Sequence, residues 1–297
     1  MSDLVEQNTL GSRLFNGFNV VILVLITLTC LLPIWYILML SLSEKAAVNA
    51  GTVTLWPVGF NLLAYKKIVS EQAFFISFWV SVQRVLLGTA VTLAAVLMMA
   101  YPLSKTARQL PARNVFMWVL IFCMLFNGGT IPWYLTTRSY GLIDSIWGLV
   151  LAGSLPVFSV ILVINFFRNV PSALEEAAYV DGAGPWRTFL QLFIPISAPV
   201  IATIALFTIV GYWNEFFQGL VLSTKQSNYP LQTYIQQLVV SLNPSTVDTE
   251  QLEMMAQLNN KSLNAAKIFI AMIPVLLIYP YLQKFFITGI TLGSVKE

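Results

Sequence analysis

Histidine is absent from the 297 residues, and only 10% of the side chains carry a formal charge. The first absence removes the commonest general base near neutral pH and the commonest zinc ligand, which counts against most membrane hydrolase chemistries. Cysteine is almost absent too. Cys30 and Cys123 both fall inside hydrophobic runs, where a small apolar thiol is the ordinary reading and no disulfide framework is implied. No G-x-x-x-x-G-K-[ST] phosphate loop occurs, so nothing here reads as a nucleotide-hydrolysing site. A net charge of +3 is too small in a chain of this length to point to nucleic acid.

What fills the chain is oil. Hydrophobic residues make up 57%, and the mean hydropathy is +0.76. One soluble core could not hide that much apolar surface, so the sequence reads as an all-α integral membrane protein. Runs of about 20 apolar residues predict six transmembrane helices, at about 20–41, 75–101, 115–136, 145–167, 197–222 and 267–289. They lack the alternation a membrane barrel requires, and in lipid an open strand would leave its backbone unpaired. The first run is too long for a signal-peptide core of ~7 to 15 residues, so it reads as an uncleaved span. No long polar stretch divides the chain, which predicts one transmembrane domain over 1–297.

An even number of spans places both termini on one side. Basic residues divide almost evenly between the two sets of loops, but LSKTARQLPARN, residues 103–114, holds three positive charges and no acid between two span ends. That short loop predicts both termini inside. Residues 42–73 and 223–266 then lie outside, and their turn formers and aromatics predict that they fold onto the outer mouth.

The segment 168–196 is the inner exception to the oil, with LEEAAYVDGAGPWRTFLQLFIPISAP starting at Leu174. Ser172 and Glu175 have S-x-x-E capping-box spacing behind Pro171, predicting a helix from about Ser172 to Asp181. Gly182 and Gly184 permit a left-handed turn, and Pro185 suits the start of a second helix through Trp186, Phe189 and Phe193. Ala173, Ala177 and Ala178 allow close approach, while Glu175, Glu176 and Asp181 keep the hairpin out of lipid. Such a hairpin wants a soluble partner.

Glu176-Ala177-Ala178, three residues, Gly182, nine residues, Leu192, one residue, Ile194-Pro195 resembles the EAA loop of ATP-binding-cassette (ABC) importer permeases, E-A-A-x3-G-x9-I-x-L-P. FNGGTIPWYLTTRSYGLIDSIWGLVL from Phe126, YWNEFFQGLVL from Tyr212, YPLQTYIQQLV from Tyr229 and the tail TGITLGSVKE resemble the oligosaccharide and polysaccharide branch of that family. Val80 departs from the pattern, which has asparagine there. The resemblance implies a type I ABC importer permease fold of six transmembrane helices in a prokaryotic cytoplasmic membrane. It implies carbohydrate uptake by alternating access, a second permease in a heterodimer and an extracytoplasmic carbohydrate-binding protein. Two ATPase subunits would use ATP and Mg, with no cofactor on this chain and no enzymatic activity of its own. Glu175, Glu176, Ala177, Ala178, Asp181 and Gly182 would form the ATPase-coupling element.

Two ionisable residues fall inside spans, Arg84 and Glu215. At 1.5 Å per residue they lie within ~3 Å of the same depth, so a pair is possible. A helix clamp, a water-filled vestibule and substrate contact all remain open readings. Asn127-Gly128-Gly129-Thr130-Ile131-Pro132 should break the third span, with Trp133 and Tyr134 beside the break. Those rings could stack on a sugar or belong to the interfacial belt, as could Trp79, Trp147, Tyr212 and Trp213. The candidate substrate pathway is Arg84, Asn127, Trp133, Tyr134, Trp213, Asn214 and Glu215. Competing readings are an ion-coupled secondary transporter with Arg84 and Glu215 as coupling site, or a membrane enzyme using Asp144 and Glu215. No internal repeat favours the former.

Overall fold

The computed structural model describes residues 10–153, 155–240 and 261–294. Helices and their connecting turns account for these, with no strand among the described residues. Part of the predicted outer segment 223–266, residues 241–260, lies outside them, as do the last three residues of the tail. The chain divides into two compact units: one runs to Ser70 and includes 238–271, and the other comprises 71–237 and the sequence from Met272.

In the first unit, α1 (Leu10–Ser41) begins ten residues before the predicted span. Leu14, Phe15, Phe18 and most apolar residues to Leu32 are exposed, as expected of a helix whose solvent is lipid. Thr27 and Thr29 donate to the carbonyls of Leu23 and Leu25 at 2.7 and 2.9 Å, which hides their hydroxyls along the helix itself. Helices α2 (Lys45–Ala50) and α3 (Leu63–Val69) follow. The segment after α1 folds back on the end of that helix: the Trp35 indole donates to Leu55 O at 2.9 Å, Ser41 bonds Tyr65 at 2.7 Å, and Met39, Ala47, Val48 and Val53 form a small core.

The second unit is built around α4 (Gln72–Ser104), which packs against most of its neighbours. Helix α5 (Arg113–Leu125) ends where the sequence predicts a break, and α6 (Thr130–Ser139) leaves at 115°. The turn is set by Gly129 at φ 85° and by Asn127, whose side-chain oxygen accepts from Gly129 N at 2.9 Å. The predicted fourth and fifth spans are also interrupted, unlike the expectation of continuous helices. Helix α7 (Ile146–Leu151) stops before Pro156, which disfavours helical geometry in the residue ahead of it, and α8 (Val157–Arg168) starts afresh.

Helix α9 (Ser172–Val180) follows at 74° to α8. Helix α10 (Pro185–Ile196) contains a π-helical turn over Phe189–Phe193, and α11 (Ala198–Asn214) departs from it at 78°. Glu215 is extended at φ −76°, ψ 119°, separating α11 from α12 (Phe217–Leu222). Then come α13 (Leu231–Val240) and α14 (Lys261–Ser294), which carries Pro274 and Pro280 without a break. Among the described residues, three helices are each long and apolar enough to cross a membrane, and three bent helix pairs reach that length only when joined.

Fully buried Val96 and Ala100 of α4, Val160 and Val163 of α8, and Ile204 of α11 form the centre of the second unit. Toward Ser104 that core becomes aromatic. Tyr101 packs 6.3, 4.9 and 5.1 Å from the rings of Phe167, Phe189 and Phe193.

Candidate functional site

Arg84 and Glu215 do pair, with Nη2 2.7 Å from Oε2. The guanidinium is fully buried and donates four hydrogen bonds: Nε to Leu149 O at 3.1 Å, Nη1 to Glu215 O at 2.9 Å, and Nη2 to Glu215 Oε2 and to Gln218 Oε1 at 2.5 Å. Glu215 spends its other oxygen on Gln218 N at 2.8 Å. A guanidinium has five N–H donors, so this one is nearly consumed within the chain. The arrangement is chemically a clamp between α4, α7 and the α11–α12 break.

The clamp solves a backbone problem. Helix α7 is six residues long, and the last carbonyls of any helix lack partners within it. Here Leu149 O accepts from Arg84, Val150 O from Tyr212 Oη at 3.0 Å, and Ala152 O from the Trp133 indole at 2.6 Å. A cation at a helix C-terminus is also favoured by the helix dipole. The Tyr212 ring lies 5.5 Å from the Arg84 guanidinium and presses on α4 at Gly88, where a Cβ would come within 2.6 Å of it.

The other sequence candidates divide by position. Trp213 is buried edge-on against Phe78 at 5.7 Å, and Asn214 is exposed, donating to Val210 O at 3.0 Å. Trp133 is half-buried, stacks 6.5 Å from Phe217 and, with Thr136, Tyr140 and Leu151, lines a cavity of about 630 Å³. Its ring faces that cavity region while its N–H is committed to Ala152. Tyr134 is half-buried and outside that lining, and Asn127 is exposed at the turn. Gln218, absent from the sequence candidates, was signalled only by standing three residues after Glu215.

Asp144 offers no acid for catalysis. It sits at φ 57°, and its carboxylate accepts from the Thr224 hydroxyl, from Thr224 N at 2.7 Å, from Lys225 N at 3.2 Å and from the Asn228 amide at 3.3 Å. The Thr224 hydroxyl, followed by the Thr224 amide, draws its pKa from 3.8 down to about 2. It is a clasp between the α6–α7 and α12–α13 loops.

The hairpin forms as α9, an elbow and α10, but two local expectations are corrected. Ser172 is the first helical residue and Pro171 the cap, so no side-chain capping box forms. Glu175 Oε1 instead accepts from Lys105 Nζ at 2.5 Å and from Tyr179 Oη at 2.9 Å, a charge-assisted bond winning over a backbone amide. At the elbow only Gly182 is left-handed, at φ 76°, while Gly184 is extended at φ −73°. The Lys105 ammonium lies 4.3 and 4.4 Å from the ring centres of Tyr101 and Phe193, so this ion pair ties α9 to the foot of α4 over an aromatic floor. Burial, then the Glu175 bond, raises the Tyr179 pKa.

Glu176, Ala177, Val180 and Asp181 are exposed, and Ala178 is half-buried. Neither the Glu176 nor the Asp181 side chain makes a hydrogen bond or ion pair among the described residues.

Helices of membrane length and apolarity, with a helix α9 that buries none of its residues, give the described residues the construction of a membrane permease. No family model matches the chain. It is 38% identical to Protein LplC of Bacillus subtilis over 292 residues, 98% of this chain and 97% of that one. It is 37% identical over 290 residues to the polygalacturonan/rhamnogalacturonan transport system permease protein YtcP of the same organism, covering 98% and 99%. A chain from the crystal structure of a bacterial ABC transporter involved in the import of the acidic polysaccharide alginate is similar with a TM-score of 0.83. Identity there is 32%, covering 94% of this chain and 98% of that one. The chain belongs to the family of carbohydrate ABC transporter permeases. It is a non-catalytic permease subunit, and the ion-coupled alternative built on Arg84 and Glu215 is not supported.

Proposed function

We propose that this permease imports a carbohydrate, an oligosaccharide or polysaccharide fragment, handed over by an extracytoplasmic binding protein and driven by two separate ATPase subunits. The observation that carries the coupling half of this reading is the hairpin: Glu176, Asp181, Val180 and Trp186 face solvent around a glycine elbow, Val180 at 88% and Trp186 at 65% exposure. Exposed acidic and apolar groups around one elbow suit insertion into a soluble subunit. The similarity to permeases of polygalacturonan, rhamnogalacturonan and alginate systems supports a polysaccharide-derived substrate, with uronate oligosaccharides the first to assay.

In this reading six spans cross a prokaryotic cytoplasmic membrane: α1, α4, α5 with α6, α7 with α8, α11 with α12, and α14. Both termini and the hairpin are cytoplasmic, and the Asp144 clasp is external. A related permease completes a heterodimer. ATP and Mg are bound by the ATPases, and this chain holds no cofactor. Trp133, Tyr134, Asn127 and Asn214 border the substrate path, whereas Arg84, Glu215 and Trp213 frame it. Glu176 and Asp181 contact the ATPase, Ala177, Ala178 and Gly182 allow close approach, and Glu175 passes its motion to α4 through Lys105.

Co-purification of the ATPase from native membranes tests the proposal, together with binding-protein-dependent uptake. Glu176→Lys and Gly182→Trp are expected to abolish both while the permease stays in the membrane. Transport persisting in a strain without any candidate ATPase would overturn it.

A further inference from the structure

A second cavity, of about 470 Å³, opens where α4 ends, α5 begins, and α8 passes into α9. Its lining includes Lys105, Arg113, Arg168, Thr106, Ser172 and Glu175. Three cations meet one carboxylate there, and that carboxylate is already bonded to Lys105 and Tyr179. The two arginines converge on one atom: Arg113 Nε donates to Leu103 O at 3.0 Å and Arg168 Nη2 to the same oxygen at 3.4 Å. Apart from a bond from Arg113 Nη1 to Asn114 Oδ1 at 3.1 Å, their remaining N–H groups are unspent, and neither has a carboxylate partner among the described residues. Two guanidinium groups drawn to one neutral carbonyl repel each other, and a shared anion relieves that repulsion.

Other donors border the same space. The nine-residue helix α9 has no side-chain cap at its start, leaving the Ser172 and Ala173 amides without a side-chain acceptor beside the cavity. Directly beyond Arg113, α5 exposes Val115, Phe116, Trp118, Val119 and Phe122. A cationic pocket at the foot of an exposed apolar helix matches the path of a lipid, with phosphate in the pocket and acyl chains along the helix.

We propose that this cavity binds a phosphate group through Arg113 and Arg168, the phosphate being the head group of an anionic phospholipid of the inner leaflet. The site goes beyond the transport reading and shares only its membrane orientation. An occupant would brace the start of α9, and with it the Lys105–Glu175 tie.

The full-length permease in neutral detergent, titrated with dioleoyl phosphatidylglycerol, dioleoyl phosphatidylcholine or inorganic phosphate, tests this by native mass spectrometry and thermal shift. Saturable phosphatidylglycerol binding is expected, weakened at least about tenfold in Arg113→Gln/Arg168→Gln and little changed in Arg108→Gln, which is exposed and outside the lining. Arg168→Gln alone removes only the 3.4 Å bond and serves as the variant whose folding is safe. Saturation by inorganic phosphate, with the same arginine dependence and no preference for phosphatidylglycerol over phosphatidylcholine, supports the phosphate site and assigns it to a soluble anion. Binding that is indifferent to both arginines, or phosphatidylcholine bound as tightly as phosphatidylglycerol with no competition from inorganic phosphate, overturns the proposal. Because neither arm involves an ATPase or a sugar, failure here is distinguishable from failure of the import reading.

Discussion

Replacing Arg84 with methionine keeps much of the volume and removes every donor. Four hydrogen bonds vanish, the carbonyls of Leu149 and Glu215 lose their partner, and the Glu215 carboxylate is left facing a low-dielectric interior. Breaking one side of a buried ion pair costs about 3–5 kcal/mol. The Glu215 side chain retains 28% exposure, so solvent screens part of the loss and the lower end, ~3 kcal/mol, is expected. Arg84→Lys keeps the charge but cannot reproduce the fork; one or two bonds survive, and the cost falls to about 2 kcal/mol. In a cycle with Glu215→Leu, the double variant should be more stable than the sum of the singles by ~1–3 kcal/mol. Unfolding of the purified permease in detergent measures all four species, and uptake kinetics are taken alongside. A frame predicts loss of stability before any change in KM. If Arg84→Met unfolds within about 1 kcal/mol of wild type and only raises KM, Arg84 is a sugar ligand and the clamp reasoning is wrong.

Gly88→Ala should destabilise by about 1–3 kcal/mol, because the new methyl displaces the Tyr212 ring and its bond to Val150 O. The same change made in a Tyr212→Ala background should be neutral or stabilising in the same unfolding assay, since alanine is the better helix former. Asp144 has its pKa depressed to about 2 from 3.8, so the clasp contributes fully above about pH 4 and is lost as the pH falls toward 2. The stability difference between wild type and Asp144→Asn should therefore be constant near pH 5 to 7 and close below pH 4; a gap unchanged at pH 2.5 contradicts the assignment.

The helical class and the hairpin were readable because each rests on local information. Apolar run length specifies membrane helices, and Pro171, Gly182 and Pro185 punctuate a hairpin whichever neighbours surround it. The Arg84–Glu215 depth match was likewise legible from rise per residue. What could not be read was where charge is spent. Ser172 and Glu175 have the spacing of a capping box, yet Lys105, 70 residues away, supplies a stronger partner for the carboxylate. The breaks after α7 and at Glu215 were hidden because Gly153, Pro156, Asn214 and Glu215 are too few to lower the mean hydropathy of the runs that hold them; partners distant in sequence, Arg84, Tyr212 and Trp133, make an interrupted backbone tolerable there. Hydropathy reports burial, not continuity.

Helix α4 is unbroken for 33 residues, and it carries Arg84 in its first half and Lys105 immediately past its end. Some 21 residues separate them, roughly 30 Å of rigid rod at 1.5 Å per residue. A tilt of about 10° in such a rod sweeps one end by roughly 5 Å relative to the other. The spans packed against it, α5 with α6, α7 with α8 and α11 with α12, are interrupted by glycine, proline and an extended glutamate, so α4 is the stiff element among them. In the proposed coupling, a push at the hairpin would reach the Leu149 carbonyl held by Arg84 as displacement, with little of it absorbed on the way.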